Sequence, residues 1–141
     1  MLFGAEGRDE IDGMNGNDII VAGEGDDLIN GGSGNDLVLA GAGDDTIISG
    51  DGGYDVAWGG DGADTFVFSD AFAEDNSRDK TIIADFDVAE DMIDLGGAEI
   101  SNVRDFGNTV RITLDGGEDQ ITLLGVSNFD EIVFTNEFDF V

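Results

Sequence analysis

The 141-residue chain contains no cysteine, no histidine and no proline. Without cysteine or histidine it cannot build a Cys/His zinc site, a thiol nucleophile or a Ser-His-Asp triad, so most familiar hydrolase chemistry is excluded. Basic residues are scarce: five Lys and Arg stand against 33 Asp and Glu, for a formal net charge of −28. Such a balance argues against nucleic acid as a partner, because phosphates would be repelled. No apolar run approaches the ~20 residues of a membrane span. Met1-Leu2-Phe3-Gly4 has neither the basic start nor the apolar stretch of a cleavable signal peptide.

What is abundant is short and flexible. Of the 33 acids, 24 are Asp and only 9 are Glu, and 17 of the 23 glycines precede residue 63. High net charge often means disorder, but 40% of the residues are hydrophobic and they are phased. Written in nines, the first half reads GAEGRDEID from Gly4, GMNGNDIIV from Gly13, AGEGDDLIN from Ala22, GGSGNDLVL from Gly31 and AGAGDDTII from Ala40. GDGGYDVAW from Gly50 and GGDGADTFV from Gly59 follow, with Ser49 taken as one inserted residue. The fourth position is Gly7, Gly16, Gly25, Gly34, Gly43, Gly53 and Gly62. The sixth is Asp9, Asp18, Asp27, Asp36, Asp45, Asp55 and Asp64, and the eighth is always apolar, from Ile11 to Phe66. This in-phase recurrence exceeds what compositional bias supplies.

A unit of nine has a physical reading. Six Gly-, Asn- and Asp-rich residues favour a turn with positive φ, and three residues with the middle one apolar make a minimal strand. Two units would close one flattened coil of 18 residues, and stacked coils would form two parallel sheets around a thin core. Asp9, Asp27, Asp45 and Asp64 then stand in one column, and Asp18, Asp36 and Asp55 in the other. Rungs about 4.8 Å apart repel by about 1 kcal/mol in bulk water and by more at a surface-like dielectric. Calcium, with oxygen ligands at about 2.4 Å, fits between carboxylates and turn carbonyls of successive coils better than magnesium does. Three gaps in one column and two in the other predict roughly five ions. The segment matches neither an EF-hand loop nor a phosphate-cradling glycine loop. Any glycosidase-like carboxylate pair could be drawn at will from 33 acids and so carries no information.

These units resemble the RTX (repeats-in-toxin) hemolysin-type nonapeptide GGxGxDxUx of bacterial secreted proteins, over residues 4 to about 68. The resemblance implies Ca²⁺ bound by the sixth-position Asp side chains and by carbonyls at the second and fourth positions. The second position falls on Gly23, Gly32, Gly41 and Gly60, with Ala5, Met14 and Asp51 departing from the pattern. Residues 1–68 are thus expected to be an all-β parallel β-roll, a β-helix-like solenoid, and residues 69–141 a β-rich cap. Gly59–Phe68, Ile83-Ala84-Asp85-Phe86 and Asp91-Met92-Ile93-Asp94-Leu95 are similar to the terminal region of serralysin-type proteases, without their zinc helix. Asp85, Asp91 and Asp94 read as surface or capping carboxylates, with an extra Ca²⁺ as the alternative.

Beyond Phe68, strands are predicted over 80–86, 91–95, 109–114 and 120–124, the last two joined by Asp115-Gly116-Gly117-Glu118 as a hairpin. Residues 69–76 read as a short helix or loop. The outward positions Ile19, Val21, Leu28, Leu37, Leu39, Ile48, Val56 and Trp58 call for cover from the C-terminal half or a partner, or else for self-association. Asn136–Val141, acids before an apolar end, is similar to the uncleaved signal read by type I exporters. Leu2 falls at an inward position of a preceding unit, as if the array continued upstream. Together these features predict a secreted, non-catalytic, Ca²⁺-folded module of a larger exported protein, with a type I exporter as partner. The alternatives are an alginate-like carbohydrate-binding module and an adhesive or structural surface protein.

Overall fold

Each nine-residue unit ends in a strand whose middle side chain points inward, and successive strands fall on alternate sides of a flattened coil. The computed structural model describes residues 1–50, 52–68, 78–114 and 119–135. The first eight strands are β1 (Leu2–Glu6), β2 (Glu10–Asp12), β3 (Ile19–Glu24), β4 (Leu28–Asn30), β5 (Leu37–Ala42), β6 (Thr46–Ile48), β7 (Tyr54–Asp61) and β8 (Thr65–Val67). Odd-numbered strands pair in parallel in one sheet and even-numbered strands in the other, with partners 18 residues apart, as Ile20↔Val38 and Ile29↔Ile47 show. All seven eighth-position residues, Ile11, Ile20, Ile29, Val38, Ile47, Ala57 and Phe66, are buried. They form the core between the two sheets, with Ala22 and Ala40 beside them.

The spacing becomes 19 at Val38↔Ala57, and the position of the extra residue differs from the expected one. A methyl group on Gly31 would meet the carbonyl oxygen of Ser49, and one on Gly50 would run into that of Gly32. Ser49 and Gly50 therefore occupy the first and second positions of the sixth unit. The insertion falls between Gly50 and Gly53, so Asp51 is not the second-position residue. Composition could not locate it, because glycines flank the site on both sides.

Beyond the roll come β9 (Lys80–Ile83), β10 (Met92–Asp94), β11 (Ile100–Asp105), β12 (Thr109–Leu114), β13 (Gln120–Leu124) and β14 (Val133–Thr135). β9 pairs in parallel with β7 and with β13, while β10 lies parallel between β8 and β14. Among the described strands only β13-β12-β11 run antiparallel, at the end of the larger sheet. Val110 and Ile112 face Leu123 and Ile121 across the predicted hairpin, and all four are fully buried with Leu114. The turn residues 115–118, the segment 69–76 and the segment 136–141 lie outside the described residues.

The expected cover of the outward positions is corrected as well. The C-terminal strands do not cover the outward apolar positions. Their backbone hydrogen bonds to β7 and β8 place them beside the roll, extending both sheets edgewise. Ile19 (38%), Leu39 (37%) and Trp58 (36%) consequently remain exposed. Among the described residues no helix is long and apolar enough to cross a membrane.

Candidate metal centre

Six of the sixth-position aspartates stand just before a strand, and Asp55 is the second residue of β7, so all seven sit where the turn hands the chain to the sheet. In one column Asp9 N–H donates to Asp27 Oδ1 (2.7 Å), Asp27 N–H to Asp45 Oδ1 (2.8 Å) and Asp45 N–H to Asp64 Oδ1 (2.9 Å). In the other, Asp18 N–H donates to Asp36 Oδ1 (2.8 Å) and Asp36 N–H to Asp55 Oδ1 (2.9 Å). The structure thus assembles all seven sequence-predicted aspartates into the two expected ladders. Asp27, Asp36, Asp45, Asp55 and Asp64 each anchor the coil before them, which is why Asp rather than Glu is needed: the shorter arm keeps Oδ1 against the neighbouring backbone.

One oxygen per rung is used in this way; the other is not. Asp27, Asp36, Asp45 and Asp64 are at most 3% exposed, and the Oδ2 atom of each is buried without a hydrogen-bond partner. A buried charged oxygen left unmatched costs several kcal/mol. Burial accordingly pushes the carboxyl groups up from their usual 3.8, to about 6 for Asp45 and about 7 for Asp55 and Asp64. Neighbouring aspartates add to the rise, and Asp36 moves in the same direction for the same reasons.

The glycines keep the space beside the ladders open. Those at the fourth position all have φ between 97° and 135°, and Gly23, Gly32, Gly41 and Gly60 between 90° and 128°. At Gly43 a side chain would strike the carbonyl of Gly25 one coil away. Met14, at the second position of its unit, adopts φ 68° and is the single non-glycine residue with positive φ among the described residues. Among the described residues no three carboxylates converge as a ready-made cage. A hard cation here would complete its six to eight oxygens from backbone carbonyls. The orphaned Oδ2 atoms and the carbonyl-lined glycine turns fit calcium on both counts.

Three residues that carry the ladders further were not singled out as rungs. Asp64 N–H donates to Asp91 Oδ1 (3.0 Å), and Asp79 N–H donates to Asp119 Oδ1 (3.1 Å). The signal was available for two of them: Asp91-Met92-Ile93 and Asp119-Gln120-Ile121 repeat the Asp-x-apolar half of the unit without its glycine half. Asp85 accepts from the N–H groups of Gly59 and Gly60, Asp94 from Gly96, and Asp91 from Asp87, so all three act as backbone caps.

The ladders give a direct pH consequence. Asp45, Asp55 and Asp64 bind protons more tightly folded than unfolded, so metal-free stability falls as pH rises from about 4 to about 7. Thermal melts of the metal-free chain are expected to show a higher midpoint at pH 5 than at pH 8. A midpoint unchanged or lower at pH 5 contradicts the buried-carboxylate account.

A family model described as the RTX calcium-binding nonapeptide repeat matches residues 1–29, 12–47 and 47–70. A search of curated proteins finds no significant match. Among solved structures, the R3 subunit of the mannuronan C5-epimerase AlgE6 from Azotobacter vinelandii is similar at TM-score 0.51 and 26% identity, covering 98% of this chain and 83% of that one. The extracellular lipase LipA of Serratia marcescens aligns at TM-score 0.45 and 17% identity over 95% of this chain and 38% of its own. The periodic glycines, the two aspartate ladders and the family match agree: the chain carries RTX hemolysin-type calcium-binding nonapeptide repeats.

Proposed function

We propose that the chain is the calcium-dependent folding and export module of a larger bacterial protein exported by a type I system, without catalysis of its own. The buried, partnerless Oδ2 atoms of the ladders carry this reading. Asp9, Asp18, Asp27, Asp36, Asp45, Asp55 and Asp64 would hold roughly five ions together with the carbonyls of the second- and fourth-position glycines. Bound Ca²⁺ supplies the positive charge that the five basic residues cannot. At submicromolar cytosolic calcium the rungs repel and keep the chain open for export. At millimolar calcium outside, with site constants of about 10⁻⁴ to 10⁻³ M, the coils close one upon another. Residues 1–68 act as the roll and 69–141 as its cap with the export signal. The outward rows Ile19-Leu37-Val56-Ile82 and Phe3-Val21-Leu39-Trp58 offer a surface for self-association, readable by light scattering in calcium.

Circular dichroism across a calcium titration from chelator tests the proposal. A steep, cooperative gain of β signal in the millimolar range is expected. A spectrum that does not change overturns it.

A second reading, a polysaccharide-binding module, is favoured by the likeness to a subunit of an epimerase named for mannuronan. It is favoured too by the gathering of Lys80, Arg104 and Arg111 on one face of the larger sheet.

A further inference from the structure

Arg104 of β11 and Arg111 of β12 are direct cross-strand partners, both exposed on the outer face of the larger sheet. Like charges placed opposite each other destabilise a strand pair. In a chain of 33 acids the expected remedy is a carboxylate, yet among the described residues neither arginine has one. Asp18, by contrast, pairs with the Met1 amino group. Arg111 instead lies over the Phe106 ring, 5.7 Å from its centroid. The two guanidinium groups, with Asn102, Thr113 and Gln120, line a surface cavity of about 240 Å³.

The pairing register extends this site into a row. Asn102, Thr113, Gln120, Lys80 and Tyr54 are successive partners across five strands, a span of about 19 Å at the inter-strand spacing. Lys80 Nζ donates to Tyr54 Oη (2.8 Å) and, among the described residues, also finds no carboxylate. The row therefore presents cations at two points, neutral amide and hydroxyl groups between them, and exposed aromatic rings, Phe106 and Tyr54, at its flanks.

From this arrangement we infer that the outer face of β11, β12, β13 and β9 binds a carboxylate-bearing polysaccharide. Arg104 and Arg111 take one carboxylate in the planar, paired geometry that guanidinium groups favour, and Lys80 takes another further along the row. Asn102, Thr113 and Gln120 meet the ring hydroxyls that accompany a carboxylate on a sugar and not on an acidic peptide. Aromatic faces suit the apolar face of a pyranose. A nucleic acid, with a phosphate charge every ~1.7 Å, would meet the −28 surface on all sides of this small basic patch. The inference rests on the second reading above and names its ligand class; it does not depend on the export role.

The test uses the full chain folded in calcium, titrated by calorimetry with short oligogalacturonates. Binding is expected, weakening roughly ten- to hundred-fold in R104Q and in R111Q and vanishing with the methyl-esterified oligomer. The variants should keep the calcium-dependent β signal, since both side chains are exposed. Binding that survives in the R104Q/R111Q double variant would mean that calcium bridges the oligomer to the acidic roll, and overturns the site. Equal affinity for the esterified oligomer, or for poly-glutamate, overturns the ligand class. Loss of the β signal in wild-type protein would instead strike at the calcium reading, leaving the two failures distinguishable.

Discussion

Asp45→Asn is expected to act in opposite directions with and without calcium. The Asn oxygen can still accept the Asp27 amide hydrogen that Asp45 Oδ1 accepts now, so the coil-to-coil anchor survives. What disappears is the second, partnerless oxygen and its charge. Asp45 stands between Asp27 and Asp64 and so borders two of the inter-coil gaps. At a few millimolar Ca²⁺ and constants of 10⁻⁴ to 10⁻³ M, a site contributes about 1–2 kcal/mol, and losing two removes about 2–4 kcal/mol. In chelator the same substitution removes a desolvated carboxylate whose proton affinity is already raised to about 6, and the variant gains stability at neutral pH. Urea melts of both proteins in both conditions read the effect. If Asp45→Asn destabilised the chain equally with and without calcium, the rung would be only a hydrogen-bonding anchor.

Phe66→Ala should cost about 3–5 kcal/mol in calcium, the range for removing a large buried ring. Phe66 is the eighth-position residue of the last unit, 1% exposed, and its ring centroid lies 6.0 Å from that of Phe86. It is thus both the final inward side chain of the roll and a contact to the segment that follows. Phe3→Ala, at a 68% exposed ring, serves as the control and should stay within about 0.5 kcal/mol. Denaturation in saturating calcium measures both. A loss below about 1 kcal/mol at Phe66 would show that the junction between roll and cap is not packed as a continuous core.

Much of the roll was legible because its unit is both local and periodic. The fourth-position glycines, sixth-position aspartates and eighth-position apolar residues each answer one local demand: positive φ, a short carboxylate before the strand, and one inward side chain. Repetition then sets the partner 18 residues away. The cap was harder. Thr109–Leu114 and Gln120–Leu124 alternate and were found with their facing residues. Ile100–Asp105 is an edge strand with polar side chains on much of its surface and shows no such pattern. That β9 and β10 continue the two sheets in parallel depends on backbone bonds to β7 and β8, which no side-chain period records. The ladder extension at Asp91 and Asp119 left a partial signature, whereas Asp79 is followed by Lys80-Thr81, with no apolar residue in phase. The basic patch was invisible as a site, since Lys80, Arg104 and Arg111 are scattered in sequence and meet only through strand pairing.

Every turn of the roll is bonded to the turn before it and the turn after it and to little else. Such an object has a mechanical signature: pulled by its ends, it should unspool one 18-residue loop at a time, each releasing about 60 Å of slack. The force record would be a staircase of similar steps whose height is set by the ions lost with each loop. Strength in this material would then be adjustable from outside, by the saltiness of the medium in one particular cation.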